Sequence, residues 1–134
     1  MGSILIIDDN DADIYISQYY LERSEFFNHI YSASDGQEAW ELFEDFPPPK
    51  ASHPKGFPPQ IILLDINMPL MNGFDFLEKL TDKKLNEEPL IVIMLTSSNN
   101  DLDKKKAKKF PMVKDYFVKP LKEEGVEKLI KMLQ

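Results

Sequence analysis

The sequence predicts an α/β domain, a doubly wound sheet of five parallel strands with five helices. Three observations carry this. Short runs of apolar residues recur at Ile4–Ile7, Ile61–Leu64 and Leu90–Leu95, and runs of this kind suit strands buried on both faces. Segments with helical spacing alternate with them. The strand ends are polar, at Asp8 and Asp9, Asp65, Thr96 and Lys119. Strictly alternating strands and helices wind by right-handed crossovers and cover both faces of one sheet.

The elements follow in order. Ile4 to Ile7 is a strand that ends in acid. Asn10 or Asp11 can cap a helix running to about Arg23. Ile16 and Tyr20 lie one turn apart there, with Ile14 and Leu21 nearby. His29 to Ala33 is a weaker strand. Ser34 can cap a second helix, in which Ala39, Leu42, Phe43 and Phe46 repeat at helical spacing. The stretch from 47 to 59 holds six of the ten prolines, which excludes a helix or an inner strand. It reads as a long surface loop entering the third strand from its amino end, on the side of the sheet away from Asp65. Phe57 offers it an apolar anchor, and Lys50 and Lys55 offer charge.

Ile61 to Leu64 is the most apolar strand, and Asp65 stands where it stops. Pro69 prevents pairing from continuing. A helix follows near Asn72 to Leu80, with Phe74, Leu77 and Leu80 inward. Leu90 to Leu95 ends at Thr96-Ser97-Ser98, and Asp101 to Phe110 reads as a very polar helix. Tyr116 to Val118 is a short fifth strand before Lys119-Pro120. Val126, Leu129, Ile130 and Leu133 mark a last amphipathic helix. No internal repeat or linker divides the chain. Residues 1–134 read as one domain with a Pro-rich insertion at about 47–60.

Composition narrows the function. The chain has 134 residues, of which 43% are hydrophobic, enough for a real core. The absence of cysteine excludes disulfides and thiolate metal sites. No apolar run approaches the roughly 20 residues that cross a bilayer. No basic region and long apolar core mark a signal peptide. Ile6 stands at the Ser/Thr position of a myristoylation motif, so that motif fails. A net charge of -7 argues against direct nucleic-acid binding. These readings give a cytoplasmic protein with no membrane insertion.

In open α/β sheets, ligands bind outside the carboxyl ends of the strands. Brought to one edge, Asp8, Asp9, Asp65, Thr96 and Lys119 form a single site. Three converging carboxylates repel one another and call for a counterion. A hard divalent cation with oxygen ligands, naturally Mg²⁺, relieves this. It also masks charge on an incoming phosphoryl group. A carboxylate can be the nucleophile in such a transfer. Thr96 can donate to a phosphoryl oxygen, and Lys119 supplies a positive charge. Taken singly, Asp8 and Asp9 read equally well as strand-end caps, whereas Thr96 reads better as a turn or cap residue, Asp65 as a strand-end carboxylate capping a turn, and Lys119 as a solvated lysine before proline.

With Asp8-Asp9, Asp65 followed by Met68-Pro69 and Gly73, then Thr96, Tyr116 and Lys119-Pro120, the chain resembles the receiver domains of two-component response regulators, including the single-domain chemotaxis regulators. The resemblance runs from Ile4 to Leu133. It implies a flavodoxin-like strand order, 2-1-3-4-5, and a phosphoryl group accepted by Asp65 from a phosphohistidine of a kinase or relay protein. It implies Mg²⁺ held by Asp9, Asp65 and the Asn67 backbone carbonyl, with Asp8 acting mainly through water. Thr96 and Lys119 would contact the phosphoryl group, and Tyr116 would be the aromatic switch. Asn67 and Ser98 would influence the phosphoryl lifetime. A cis Lys119–Pro120 peptide is also implied. The chain departs from the family pattern in Ser97, often Ala, and in the long Pro-rich loop, which resembles those of receivers serving phytochrome-type kinases.

The expected function is a stand-alone, phosphorylation-switched signalling module acting on a protein effector, with room for a homodimer. It catalyses only its own phosphorylation and dephosphorylation and is not a turnover enzyme. One rival is a receiver-like scaffold that works without phosphorylation. Another is a phosphatase or phosphotransferase of the haloacid dehalogenase type, which wants a second Asp two residues after the nucleophile. Asn67 stands there. Lys104, Lys105, Lys106, Lys108 and Lys109 form a basic patch that reads either as a solvated helix face or as a dock for an acidic partner. His29 and His53 have no clustered ligands, and Trp40 has no predicted place.

Overall fold

The computed structural model describes residues 2–44, 53–85, 90–97 and 100–134. The strands are β1 (Ser3–Ile7), β2 (His29–Ala33), β3 (Ile61–Leu64), β4 (Ile91–Thr96) and β5 (Val113–Val118). The helices are α1 (Asp11–Arg23), α2 (Gly36–Phe43), α3 (Gly73–Asp82), α4 (Asp101–Ala107) and α5 (Glu123–Met132). The strands form one parallel sheet in the order β2-β1-β3-β4-β5, the doubly wound arrangement expected.

The period-2 alternation of strand side chains divides the core in two. Leu5, Ile7, Ile62, Leu64, Val92 and Met94 face α2, α3 and α4, where Phe43, Phe76, Leu77 and Leu80 are buried. Ile4, Ile6, Ile61, Leu63, Ile93 and Leu95 face α1 and α5, with Leu21, Val126 and Leu129. Central strands covered on both faces have no solvent side, which is why β1 and β3 are apolar at almost every position.

Local chemistry sets the helix starts. Asn10 caps α1 by accepting the Asp13 N–H at 3.0 Å. Asn72 and Asp75 form a reciprocal capping box on α3. Asp35, rather than Ser34, caps α2, accepting the Glu38 N–H at 2.7 Å; Ser34 Oγ donates to the Glu38 side chain instead. Inside α1 the buried line runs through Ile14, Ser17 and Leu21, while Ile16 and Tyr20 are half-buried. Helix α4 ends earlier than expected, at Ala107, its one buried residue, and Pro111 disfavours a helical backbone at Phe110. Strand β5 begins earlier, at Val113, because an edge strand tolerates the charges of Lys114 and Asp115.

Phe46, Lys50 and residues 47–52 of the Pro-rich stretch lie outside the described residues. The rest of the loop sits at the amino edge of the sheet, away from Asp65, as expected. Ser3 Oγ donates to the Pro58 carbonyl, and the Gln60 N–H donates to that of Ser3. Phe57 packs on Phe43 with ring centroids 5.1 Å apart, and His53 stacks on Phe57. Gly56 has φ +85°, and a β-carbon there would collide with the His29 ring, so only glycine suits that turn. Trp40 on α2 meets Phe76 edge-on, with the Lys79 ammonium 5.4 Å above its ring.

Candidate functional site

Parallel pairing brings the ends of β1, β3 and β4 to the same edge, and β5 joins them. The Asp65 N–H donates to the Ile7 carbonyl at 3.0 Å and the Lys119 N–H to the Thr96 carbonyl at 2.8 Å. These bonds continue the sheet by one residue and carry Asp8, Asp65 and Lys119 to one point. Lys119–Pro120 is cis, as the resemblance implied, and Phe57–Pro58 is cis as well.

One carboxylate oxygen each from Asp8, Asp9 and Asp65 lies within 4.8 Å of the others. Asp8 and Asp65 are buried, and Asp9 is exposed. Asp8 Oδ1 accepts the Asn10 N–H at 2.9 Å, and its Oδ2 meets the Lys119 ammonium at 2.7 Å. Asp65 Oδ1 accepts the Ile66 N–H at 2.9 Å, and Oδ2 lies 3.5 Å from Lys119. Both oxygens of Asp8 thus already have protein partners. The alternative of Asp9 as a helix cap falls away, because Asn10 is the cap.

Burial pushes the Asp65 carboxyl up to about 6, and the charges of Asp8 and Asp9 act in the same direction; Lys119 and the Ile66 N–H oppose them. Burial works against the Lys119 ammonium, but its bonds to Asp8 and Asp13 and the charge of Asp65 outweigh it, and its pKa is raised. The lysine remains charged. Negative charge is in excess, and the donors are hard oxygens. This set fits a small divalent cation. Among the described residues this is the group found that could hold a metal; His29 and His53 do not belong to it.

The turn after Asp65 is tightly built. The Met68 and Gly73 N–H groups both donate to the Ile66 carbonyl, at 3.2 and 2.9 Å. Leu70 is fully exposed with φ +67°. Asn67, on this turn, is exposed beside the acidic pocket. A β-carbon at Gly73 would collide with the carbonyl oxygen of Asp65. Gly73→Ala is therefore expected to cost about 1–3 kcal/mol, read as a lower urea midpoint with an unchanged slope. It should also shift the Asp65 carboxylate within the acidic cluster, since the displaced backbone carries it.

Thr96 is fully buried at the end of β4. Its strand partner is Val118, two residues beyond Tyr116, which is half-buried against the α2–α4 side of the core. Lys104 on α4 places its ammonium 5.6 Å from the Tyr116 ring centroid, and Lys106 lies 4.6 Å from that of Phe74. Two lysines of the basic patch thus lie over aromatic faces; Lys104 is half-buried, while Lys105, Lys106, Lys108 and Lys109 are exposed. Ser98 lies outside the described residues.

Sequence reasoning missed Asp13. Its Oδ2 accepts from the Lys119 ammonium at 2.9 Å. An acid in the first turn of a helix reads as a partner for the helix dipole, and nothing local links it to a lysine 106 residues away. The available signal was that helix side chains tilt toward the N-terminus, here the edge that carries Asp8 and Asp9.

The fold and this pocket define a doubly wound α/β protein with an acidic, cation-ready cleft at the carboxyl edge of its sheet. Residues 4–131 match the response regulator receiver domain, and the chain belongs to that family. Protein PilH of Pseudomonas aeruginosa is 31% identical over 97% of this chain and 95% of its own length. The response regulator GtcR of Aneurinibacillus migulanus is 33% identical over 76% of this chain and 35% of its own. A two-component response regulator from Cytophaga hutchinsonii superposes with a TM-score of 0.83 at 28% identity, covering 98% of this chain and 95% of that one. The chain spans about a third to a half of the first curated relatives it matches. It is a receiver domain of two-component signalling, a class that accepts phosphoryl groups and binds Mg²⁺ at an acidic pocket. No described helix is long and apolar enough to cross a membrane.

Proposed function

We propose that Asp65 accepts a phosphoryl group from a phosphohistidine on a kinase or relay protein. The observation that supports this best is the position of Asp65. Its buried carboxylate ends the central strand, beside two more carboxylates and within 3.5 Å of the partly buried Lys119 ammonium. In the transfer, a carboxylate oxygen of Asp65 forms a bond to phosphorus as the bond from phosphorus to the imidazole nitrogen breaks. The imidazole leaves and takes a proton. Lys119 meets the charge that builds on the phosphoryl oxygens.

Asp9, Asp65 and the Asn67 carbonyl would hold Mg²⁺, with Asp8 reaching it mainly through water. That assignment accords with the two protein bonds already made by Asp8. When bound, the cation supplies charge neutralisation for the incoming phosphoryl group. Thr96 would donate to a phosphoryl oxygen, and Asn67 and Ser98 would tune how long the phosphoryl group lasts. Signal would pass when Thr96 moves and Tyr116 turns inward, changing the α4–β5 surface for a protein effector.

Residues 4–131 act in this reading as one receiver domain, and PilH, a relative of similar length, aligns over 95% of its own chain. Intact mass after incubation with acetyl phosphate and Mg²⁺ tests the central claim. One added phosphoryl group is expected. An unchanged mass, with the protein folded and Mg²⁺ bound, would favour the phosphorylation-independent scaffold.

A further inference from the structure

We propose that Asp13 is a positioning residue for Lys119: it holds the ammonium off Asp65, so that the acceptor carboxylate stays open. The proposal rests on the reading of Asp65 as phosphoryl acceptor.

An ammonium carries three donors. Asp8 takes one at 2.7 Å and Asp13 takes another at 2.9 Å. The Lys119 side chain is only 11% exposed, so its charge is held by protein partners more than by water. Asp65 Oδ2 is third in distance, at 3.5 Å, an ion pair but not a hydrogen bond. The third donor thus points toward the acceptor across a gap. A phosphoryl oxygen arriving on Asp65 can enter that gap and take the donor. Asp8 lies inside the carboxylate cluster, whereas Asp13 is on α1 and outside it. A cation drawing on Asp8 leaves Asp13 as the anchor not shared with the cluster.

Without Asp13 the ammonium has one remaining carboxylate within 4 Å besides Asp8, and that is Asp65. Closing onto it would tie up an oxygen of the nucleophile and take the donor from its place. Both effects slow transfer at saturating donor, and neither alters how the small donor binds. Asn at position 13 keeps an acceptor oxygen at the same reach. Asp13 is partly exposed, so either substitution leaves the core alone.

Two measurements decide it. In metal-free, unphosphorylated protein carrying ¹⁵N-lysine, the Lys119 ammonium resonance is identified by its loss in Lys119→Met. Asp13→Ala is expected to displace that resonance, and Asp13→Asn to move it much less. With acetyl phosphate and Mg²⁺, Asp13→Ala should lower the maximal labelling rate roughly tenfold with the half-saturating donor concentration unchanged. Asp13→Asn should recover most of the rate. An ammonium resonance unmoved in Asp13→Ala overturns the proposal, as does equal slowing by both substitutions. If the wild type takes no label while Asp13→Ala displaces the resonance, the acceptor reading falls and the hold of Asp13 on Lys119 stands.

Discussion

Asp65→Asn is expected to abolish phosphoryl labelling and, with divalent cations chelated, to raise the melting temperature near neutral pH. The first effect follows from chemistry, since a carboxamide is a far poorer nucleophile than a carboxylate. The second follows from where the carboxylate sits. Burial chiefly, with help from Asp8 and Asp9, lifts its pKa from 3.8 to about 6. Between these values the folded chain keeps a proton that the unfolded chain has released. The favourable contribution is therefore fully present below about pH 4 and is lost as pH rises through about 6. Above that, the bare charge costs on the order of 2–3 kcal/mol, which is several degrees of melting temperature for a domain of this size. The amide carries no charge to bury. Melts of both proteins from pH 4 to 8 should show a gap that widens with pH and then levels. A constant gap would mean that Asp65 ionises as freely in the fold as outside it. Lys119 does not confuse the window, because its pKa is raised from 10.5 and its contribution fades only in strong alkali.

Asp9→Asn is expected to weaken Mg²⁺ binding by on the order of 100-fold or more, since in the proposed assignment Asp9 supplies one of the few charged oxygen ligands. The helix does not suffer, because Asn10 supplies the cap. The metal-free melting temperature should hold or rise as one of three crowded carboxylates loses its charge. In the wild type, Mg²⁺ at a hundred times its dissociation constant adds about 2.7 kcal/mol; in the variant the same Mg²⁺ should add almost nothing. Calorimetric titration and melts with and without the cation check both statements. A lowered metal-free melting temperature with unchanged affinity would return Asp9 to a structural role.

The sequence by itself determined the order of elements and the polar ends of the inner strands. A strand covered on both faces must be apolar throughout, and helix caps are chosen by residues a few positions apart, so both signals are local. β1, β3 and β4 were legible for that reason, and the cap of α1 was narrowed to Asn10 or Asp11, while that of α2 fell on Asp35, one residue past Ser34. The reach of β5 through Lys114 and Asp115 was not, because an edge strand keeps one side in water and its composition resembles a loop. The place of Trp40 against Phe76 depends on how α2 packs on α3, and nothing within either helix specifies it. Asp8, Asp9, Asp65 and Lys119 could be named from their positions at strand ends, because parallel pairing gathers those ends at one edge. The tertiary structure alone decided how they share charge. It gave both oxygens of Asp8 protein partners, lifted the carboxyl of Asp65 by burying it, and brought Asp13 from the first turn of α1 to the lysine after β5. Hydrogen bonds and burial depend on distances of a few ångströms between segments up to a hundred residues apart, and those distances exist only once the sheet is wound.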